Sequence, residues 1–150
     1  MEYRAEPPRS IAGWSTQRVS ESHVVRTVLI VDDSKLARIV AGKALAELQP
    51  DWTKVEAGSA AEALEKIGQL SIDIALVDFN MTEKDGLELA AELRALRPEM
   101  PIAIITANIQ DEVIARAREV GAAFIAKPVT SEGLSGFVSG AALKLRNTRS

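Results

Sequence analysis

Residues 75–89 read ALVDFNMTEKDGLEL. Ala75, Leu76 and Val77 suit a central strand, but the run stops on Asp78 and passes into a polar turn through Asn80, Thr82, Glu83 and Lys84. Asp85 and Gly86 follow, and helical spacing resumes at Leu87. An apolar strand that delivers a carboxylate to its very end, then a turn and a helix, is the unit from which the rest of the chain can be read.

The same alternation extends in both directions. Apolar runs at Thr27–Val31, Ile72–Val77, Ile102–Ile105 and Ala122–Ala126 predict strands, with a more polar one at Thr53–Ala57. Between them the spacing is helical. Leu36, Ile39, Val40, Ala44 and Leu48 share one face of a helix, and Leu134, Phe137, Val138, Ala141 and Leu145 share one face of another. Ser59 and Glu62 form a capping box in which each satisfies a donor at the helix start. Gly68, Pro98, Gly121 and Pro128 fall at the joins. Five strands alternating with five helices predict parallel strands reached through helical crossovers, an α/β fold with helices on both faces of the sheet.

Composition narrows the function. The chain has 150 residues, 47% apolar and 26% charged, which predicts one globular domain and no second one. A net charge of −3 gives no basic footprint for direct contact with nucleic acid. No apolar run approaches a membrane span, and the opening MEYRAEPPRS lacks the apolar stretch of a secretory signal. Cysteine is absent, so disulfides and thiolate metal sites are excluded, and the lone His23 rules out a multi-histidine site. A cytoplasmic location is the expectation by elimination. Residues 1–26, with Pro7, Pro8, Gly13 and many polar side chains, are expected to form a flexible extension. Within it, Trp14 is expected to be docked or exposed rather than an anchor for a partner. Residues 27–146 are the expected folded domain and 147–150 a short tail.

In an open parallel sheet, ligands bind beyond the carboxyl ends of the strands. The first strand delivers Asp32 and Asp33 there, the third Asp78, the fourth Thr106 and the fifth Lys127 followed by Pro128. Each has an ordinary explanation taken alone. The acids can cap a helix, Asp78 can be a turn residue, Thr106 can cap, and Lys127 can be solvated. Independent accidents do not place three carboxylates and their counter-charge at corresponding ends of successive strands. Close carboxylates repel unless a cation joins them, and an all-oxygen ligand set suits a hard ion, Mg²⁺ above all. A carboxylate is a competent nucleophile toward phosphorus. A metal ion, an ammonium and a hydroxyl around it would neutralise the oxygens of a phosphoryl group in transfer. On this reading Asp78 is a phosphate acceptor.

VLIVDDS (28–34), LVDFNM (76–81) with DGLEL (85–89), IITAN (104–108) and GAAFIAKP (121–128) together resemble the receiver domain of two-component response regulators, in order over roughly residues 27–146. The resemblance implies a flavodoxin-like, doubly wound five-stranded sheet in the order 2-1-3-4-5. It implies that Asp78 is phosphorylated, that Asp32 and Asp33 are the acidic pair for Mg²⁺, and that the Asn80 carbonyl completes the metal site. Thr106 matches the switch hydroxyl, Phe124 the switch aromatic, and Lys127 the lysine that pairs with the phosphoryl group. The Lys127–Pro128 peptide is expected to be cis. Asn80 and Asn108 are expected to tune hydrolysis.

The expected function is that of a stand-alone response regulator. It would accept a phosphoryl group from a histidine kinase or a histidine phosphotransfer protein and switch its binding to a downstream protein target, catalysing no reaction beyond its own phosphorylation and dephosphorylation. A shuttle or phosphate sink in a relay is the alternative, with a non-phosphorylated adaptor behind it. Intact key positions weigh against the adaptor. A flavin protein of this fold would need a hydroxyl- and glycine-rich cradle where Asp32 and Asp33 stand, and a D-x-D phosphatase would need an acid where Asn80 stands. Two departures from the family pattern carry expectations. Thr82 stands where many relatives have proline, so the loop should be looser. Phe124 stands where some have tyrosine, so an outward phenol hydrogen bond is lost.

Overall fold

The computed structural model describes residues 25–107 and 109–149, with side chains to Arg146. Ile11, Trp14 and nearly all of the expected extension lie outside the described residues, as do Asn108 and Ser150. The elements run β1 (Thr27–Val31), α1 (Lys35–Leu48), β2 (Thr53–Ala57), α2 (Ala60–Gln69), β3 (Ile74–Asp78), α3 (Gly86–Leu96), β4 (Ile102–Thr106), α4 (Asp111–Glu119), β5 (Ala123–Ala126) and α5 (Ser131–Arg149). All strand pairs are parallel and the sheet order is 2-1-3-4-5. Among the described residues no helix is long and apolar enough to cross a membrane.

Strand side chains alternate between faces, and the register makes that alternation coherent across the sheet. Leu29 pairs with Ala75, Val31 with Val77, and Val77 with Ile104. These residues fill one core layer with Ala63 and Ile67 of α2, Leu93 of α3 and Ala117 of α4. Val28, Ile30, Leu76, Ile105 and Ile125 fill the other, against Leu45 of α1 and Leu134 and Val138 of α5. The sheet therefore carries α1 and α5 on one face and α2, α3 and α4 on the other.

Several expectations change at the level of single residues. The face of α1 read from Leu36, Ile39 and Val40 is not the buried one: Leu36 is 71% exposed and the other two are also exposed. Of the expected face, Ala44 is buried and Leu48 packs against the core, and Ala41, Gly42 and Leu45 complete the buried side. Small residues let α1 approach closely, and spacing alone did not separate the two faces. Glu62 reaches the Gly58 N–H at 2.7 Å rather than that of Ser59, while Ser59 Oγ accepts from the Glu62 N–H at 3.1 Å. β3 begins two residues later than expected because Asp73 turns back, its Oδ2 accepting from the Thr27 N–H at 2.8 Å. Arg26, assigned to the extension, is buried, and its carbonyl accepts from the Thr53 N–H. The last helix runs on to Arg149.

Candidate functional site

The register fixes what meets at the carboxyl edge. Val31 lies opposite Val77, so Asp32 comes level with Asp78. Asp78 lies opposite Ile105, Thr106 lies opposite Ala126, and the Lys127 N–H donates to the Thr106 carbonyl at 3.0 Å. By alternation, Asp32 follows Ile30, Asp78 follows Leu76 and Lys127 follows Ile125, which puts all three on the α1/α5 side of the sheet. Thr106 follows Ile104 and falls on the opposite side, as does Phe124, the partner of Ile104.

Asp32, Asp33 and Asp78 each offer one carboxylate oxygen, and these oxygens lie within 4.8 Å of one another. Asp78 is 3% exposed and Asp32 6%, whereas Asp33 is exposed. Lys127 Nζ lies 2.8 Å from Asp78 Oδ1 and 3.4 Å from Asp32 Oδ2. The shorter contact is an ion pair by distance, yet no donor aligned for a hydrogen bond reaches the buried Asp78 Oδ1 among the described residues. One ammonium faces three carboxylates here, and that excess of negative charge suits a ligand that supplies positive charge. Burial raises the Asp78 carboxyl above its ordinary pKa; Lys127 pulls it back, and the charges of Asp32 and Asp33 push it up again. Burial works to lower the Lys127 ammonium, but Asp78 and Asp32 outweigh it and the net direction is upward.

The residues around this cluster fix its shape. Ser34 caps α1, its Oγ accepting from the Ala37 N–H at 3.2 Å, so neither aspartate serves as the cap. Asp32 Oδ1 accepts from the Ser34 N–H at 2.9 Å. Asp85 is a helix cap and not part of the cluster: its Oδ1 accepts from the Glu88 N–H, and Glu88 returns the bond to the Asp85 N–H. Gly86 packs so closely under the end of β3 that a Cβ there would lie 2.2 Å from the Asp78 carbonyl oxygen. Its N–H donates to the Phe79 carbonyl at 2.8 Å. The Lys127–Pro128 peptide is cis. Asn80 lies exposed in the loop after β3, Thr106 is fully buried, Phe124 is half-buried and Ala107 is exposed.

Two contributors escaped the sequence reading. Arg38 Nη1 donates to the Asp32 carbonyl at 2.6 Å while its Nε pairs with Glu56 at 2.8 Å, clamping the end of β1 to β2. Thr82 Oγ1 donates to Asp33 Oδ2 at 2.8 Å. A guanidinium one turn into α1 was a visible signal, but its partner is a backbone carbonyl, which leaves no trace in a sequence.

A sequence profile of the response regulator receiver domain matches residues 28–138. The chain belongs to the response regulator receiver domain family. It is 34% identical over 116 residues to the transcriptional regulatory protein GlrR of Escherichia coli, covering 75% of this chain and 25% of that protein. It is 39% identical over 112 residues to the positive alginate biosynthesis regulatory protein of Pseudomonas aeruginosa, covering 72% of this chain and 44% of that protein. It thus spans less than half the length of these curated relatives. Among solved structures, a CheY-like response regulator receiver domain protein from Methanospirillum hungatei superposes with a TM-score of 0.75 at 25% identity, over 83% of this chain and 99% of that one.

Proposed function

We propose that Asp78 accepts a phosphoryl group from a phosphohistidine of a histidine kinase or histidine phosphotransfer protein, in a Mg²⁺-dependent reaction in the cytoplasm, within a receiver unit spanning about residues 27–146. The observation that carries this reading is the buried Asp78 Oδ1 beside Lys127 and two further carboxylates. Asp33, Asp78 and the Asn80 carbonyl would hold the ion, with Asp32 acting through water; an oxygen-only set with no imidazole or thiolate fits a hard cation. When bound, Mg²⁺ supplies charge that neutralises the oxygens of the transferring group.

The protein's own part is nucleophile and charge. An Asp78 carboxylate oxygen attacks phosphorus, a P–O bond forms as the P–N bond of a phosphohistidine protonated on its other ring nitrogen breaks, and the imidazole leaves neutral with the bonding pair. Lys127 turns from the free carboxylate to the new phosphoryl oxygens, and no water is needed in the step. Docking of a donor protein is supported by the exposed Leu36 and Val40 of α1, which with Pro128 and Val129 border a groove whose floor reaches Asp32 and Lys127. Incubation with a small phosphodonor and Mg²⁺ is expected to add the mass of one phosphoryl group, and no mass when a chelator is present from the start. A mass gain located on Thr106, His23 or a serine would overturn the assignment.

Phosphorylation is proposed to switch partner binding through Thr106 and Phe124. Their shared side of the sheet, with Phe124 opposite Ile104 and two residue pairs from Thr106, supports this. The Thr106 hydroxyl moves toward a phosphoryl oxygen, and Phe124 moves from its half-buried position into the space vacated, next to the small Ala107. Amide spectra of the beryllofluoride adduct, a phosphoryl mimic, are expected to change from residue 107 to 127 in the wild type. In Thr106→Ala the same adduct should form with changes confined to the acid cluster, and Phe124→Ala should alter target binding rather than adduct formation. Wild-type changes that never leave the acid cluster would refute the switch.

A further inference from the structure

Threonine at position 82 led to the expectation of a loose loop after β3. The structure instead ties that loop down: Thr82 Oγ1 donates to Asp33 Oδ2 at 2.8 Å. The two residues are 49 apart in sequence, so the bond joins the loop before α1 to the loop before α3. Those loops carry Asp33 and Asn80, two of the three groups assigned to direct contact with the cation. Asp33 is exposed, and a carboxylate in water turns freely about its terminal torsion unless something holds it. Thr82 is the residue that holds it. A carboxylate oxygen has two lone-pair directions and its partner oxygen two more, so one accepted bond leaves the group able to ligate.

We propose that Thr82 is a positioning residue for the divalent cation, acting through Asp33 and through the loop that presents the Asn80 carbonyl. This rests on the metal-dependent reading above. Groups that orient a metal ligand commonly change affinity by 10- to 100-fold when removed. Both residues here are exposed and water can replace the hydroxyl, so the effect belongs at the low end.

The test is a Mg²⁺ titration of the whole chain followed by amide spectra, with wild type, Thr82→Val and Thr82→Ser. Thr82→Val keeps the shape and removes the donor; its affinity is expected to fall roughly tenfold. Thr82→Ser keeps the donor and should stay within about twofold of wild type. Melting of all three without Mg²⁺ should coincide, which separates positioning from a general role in stability. Wild-type affinity in Thr82→Val, or equal losses in both variants, would overturn the proposal. A wild type with no saturable Mg²⁺ response would overturn the metal reading itself, and that failure is visible before any substitution is made.

Discussion

Asp78→Asn is expected to abolish the phosphoryl adduct completely and, without Mg²⁺, to make the protein more stable. The first effect follows from removing the proposed nucleophile. The second follows from the sign of the Asp78 shift. Its folded-state pKa lies above the ordinary value of 3.8, mainly through burial. The stability it contributes is therefore fully present below the unfolded pKa and lost as pH rises through the folded one. At neutral pH the ionised Asp78 weakens the fold, net of its pairing with Lys127, and asparagine removes that cost. The gain should appear as a higher melting temperature for Asp78→Asn than for the wild type. The difference should shrink as pH falls through the raised folded-state pKa of Asp78, where the wild type takes up its proton. Thermal melting in chelator at neutral and acid pH measures it. A lower melting temperature for Asp78→Asn at neutral pH would mean that the ion pair with Lys127 outweighs burial and repulsion.

Gly86→Ala is expected to be the most damaging single-methyl change in the structure described here. Helix propensity argues the other way, since alanine exceeds glycine by about 1 kcal/mol within a helix. Space decides. The added Cβ would lie 2.2 Å from the Asp78 carbonyl oxygen and 2.9 Å from Phe79 Cα. Both obstacles are backbone, so no side chain can swing aside, and the end of β3 must move. A loss of about 3 kcal/mol, on the order of 10 °C in melting temperature, is the expected result. Mg²⁺ binding should weaken with it, because the displaced atoms are those that carry Asp78. Gly136→Ala is the control: a Cβ there meets nothing within 4 Å, and the same substitution should stabilise by up to about 1 kcal/mol. Equal effects at the two positions would show that the close approach carries no energy.

The parallel sheet and the acid cluster were legible because each depends on residues that announce themselves, whereas the strand order came only from the resemblance to the receiver family. Apolar runs of strand length end on Asp32, Asp78, Thr106 and Lys127, and parallel strands in register must bring such ends to one edge. The buried face of α1 was legible only toward its C-terminal half, at Ala44 and Leu48. Leu36, Ile39 and Val40 outrank Ala41 and Ala44 in hydrophobicity, yet the smaller residues face the sheet. Apolar periodicity locates a helix face but does not say whether that face is covered. The hydrogen bonds of Arg38 and Thr82 were illegible for another reason. One partner is a backbone carbonyl and the other lies 49 residues away, and neither spacing has a periodic signature. Gly86 was half legible, since a glycine opening a helix is a poor choice for the helix and hints at crowding.

The division of the edge between the two faces of the sheet has a consequence for how such a protein can be altered. Asp32, Asp78 and Lys127 belong to the α1/α5 side, while Thr106 and Phe124 belong to the α3/α4 side, and one strand thickness lies between them. One residue bridges that partition: the Lys127 side chain pairs with Asp78 on one side while its N–H donates to the Thr106 carbonyl in the plane of the sheet. A designer can therefore redraw the outer surface near Phe124 to suit a different listener and leave the acid pocket untouched. The reverse exchange, a new speaker at Leu36 and Val40, leaves Phe124 and its surroundings as they are. On the proposed switch, the chain acts as a coupling with two separable ends, and β4 and β5 are its shaft.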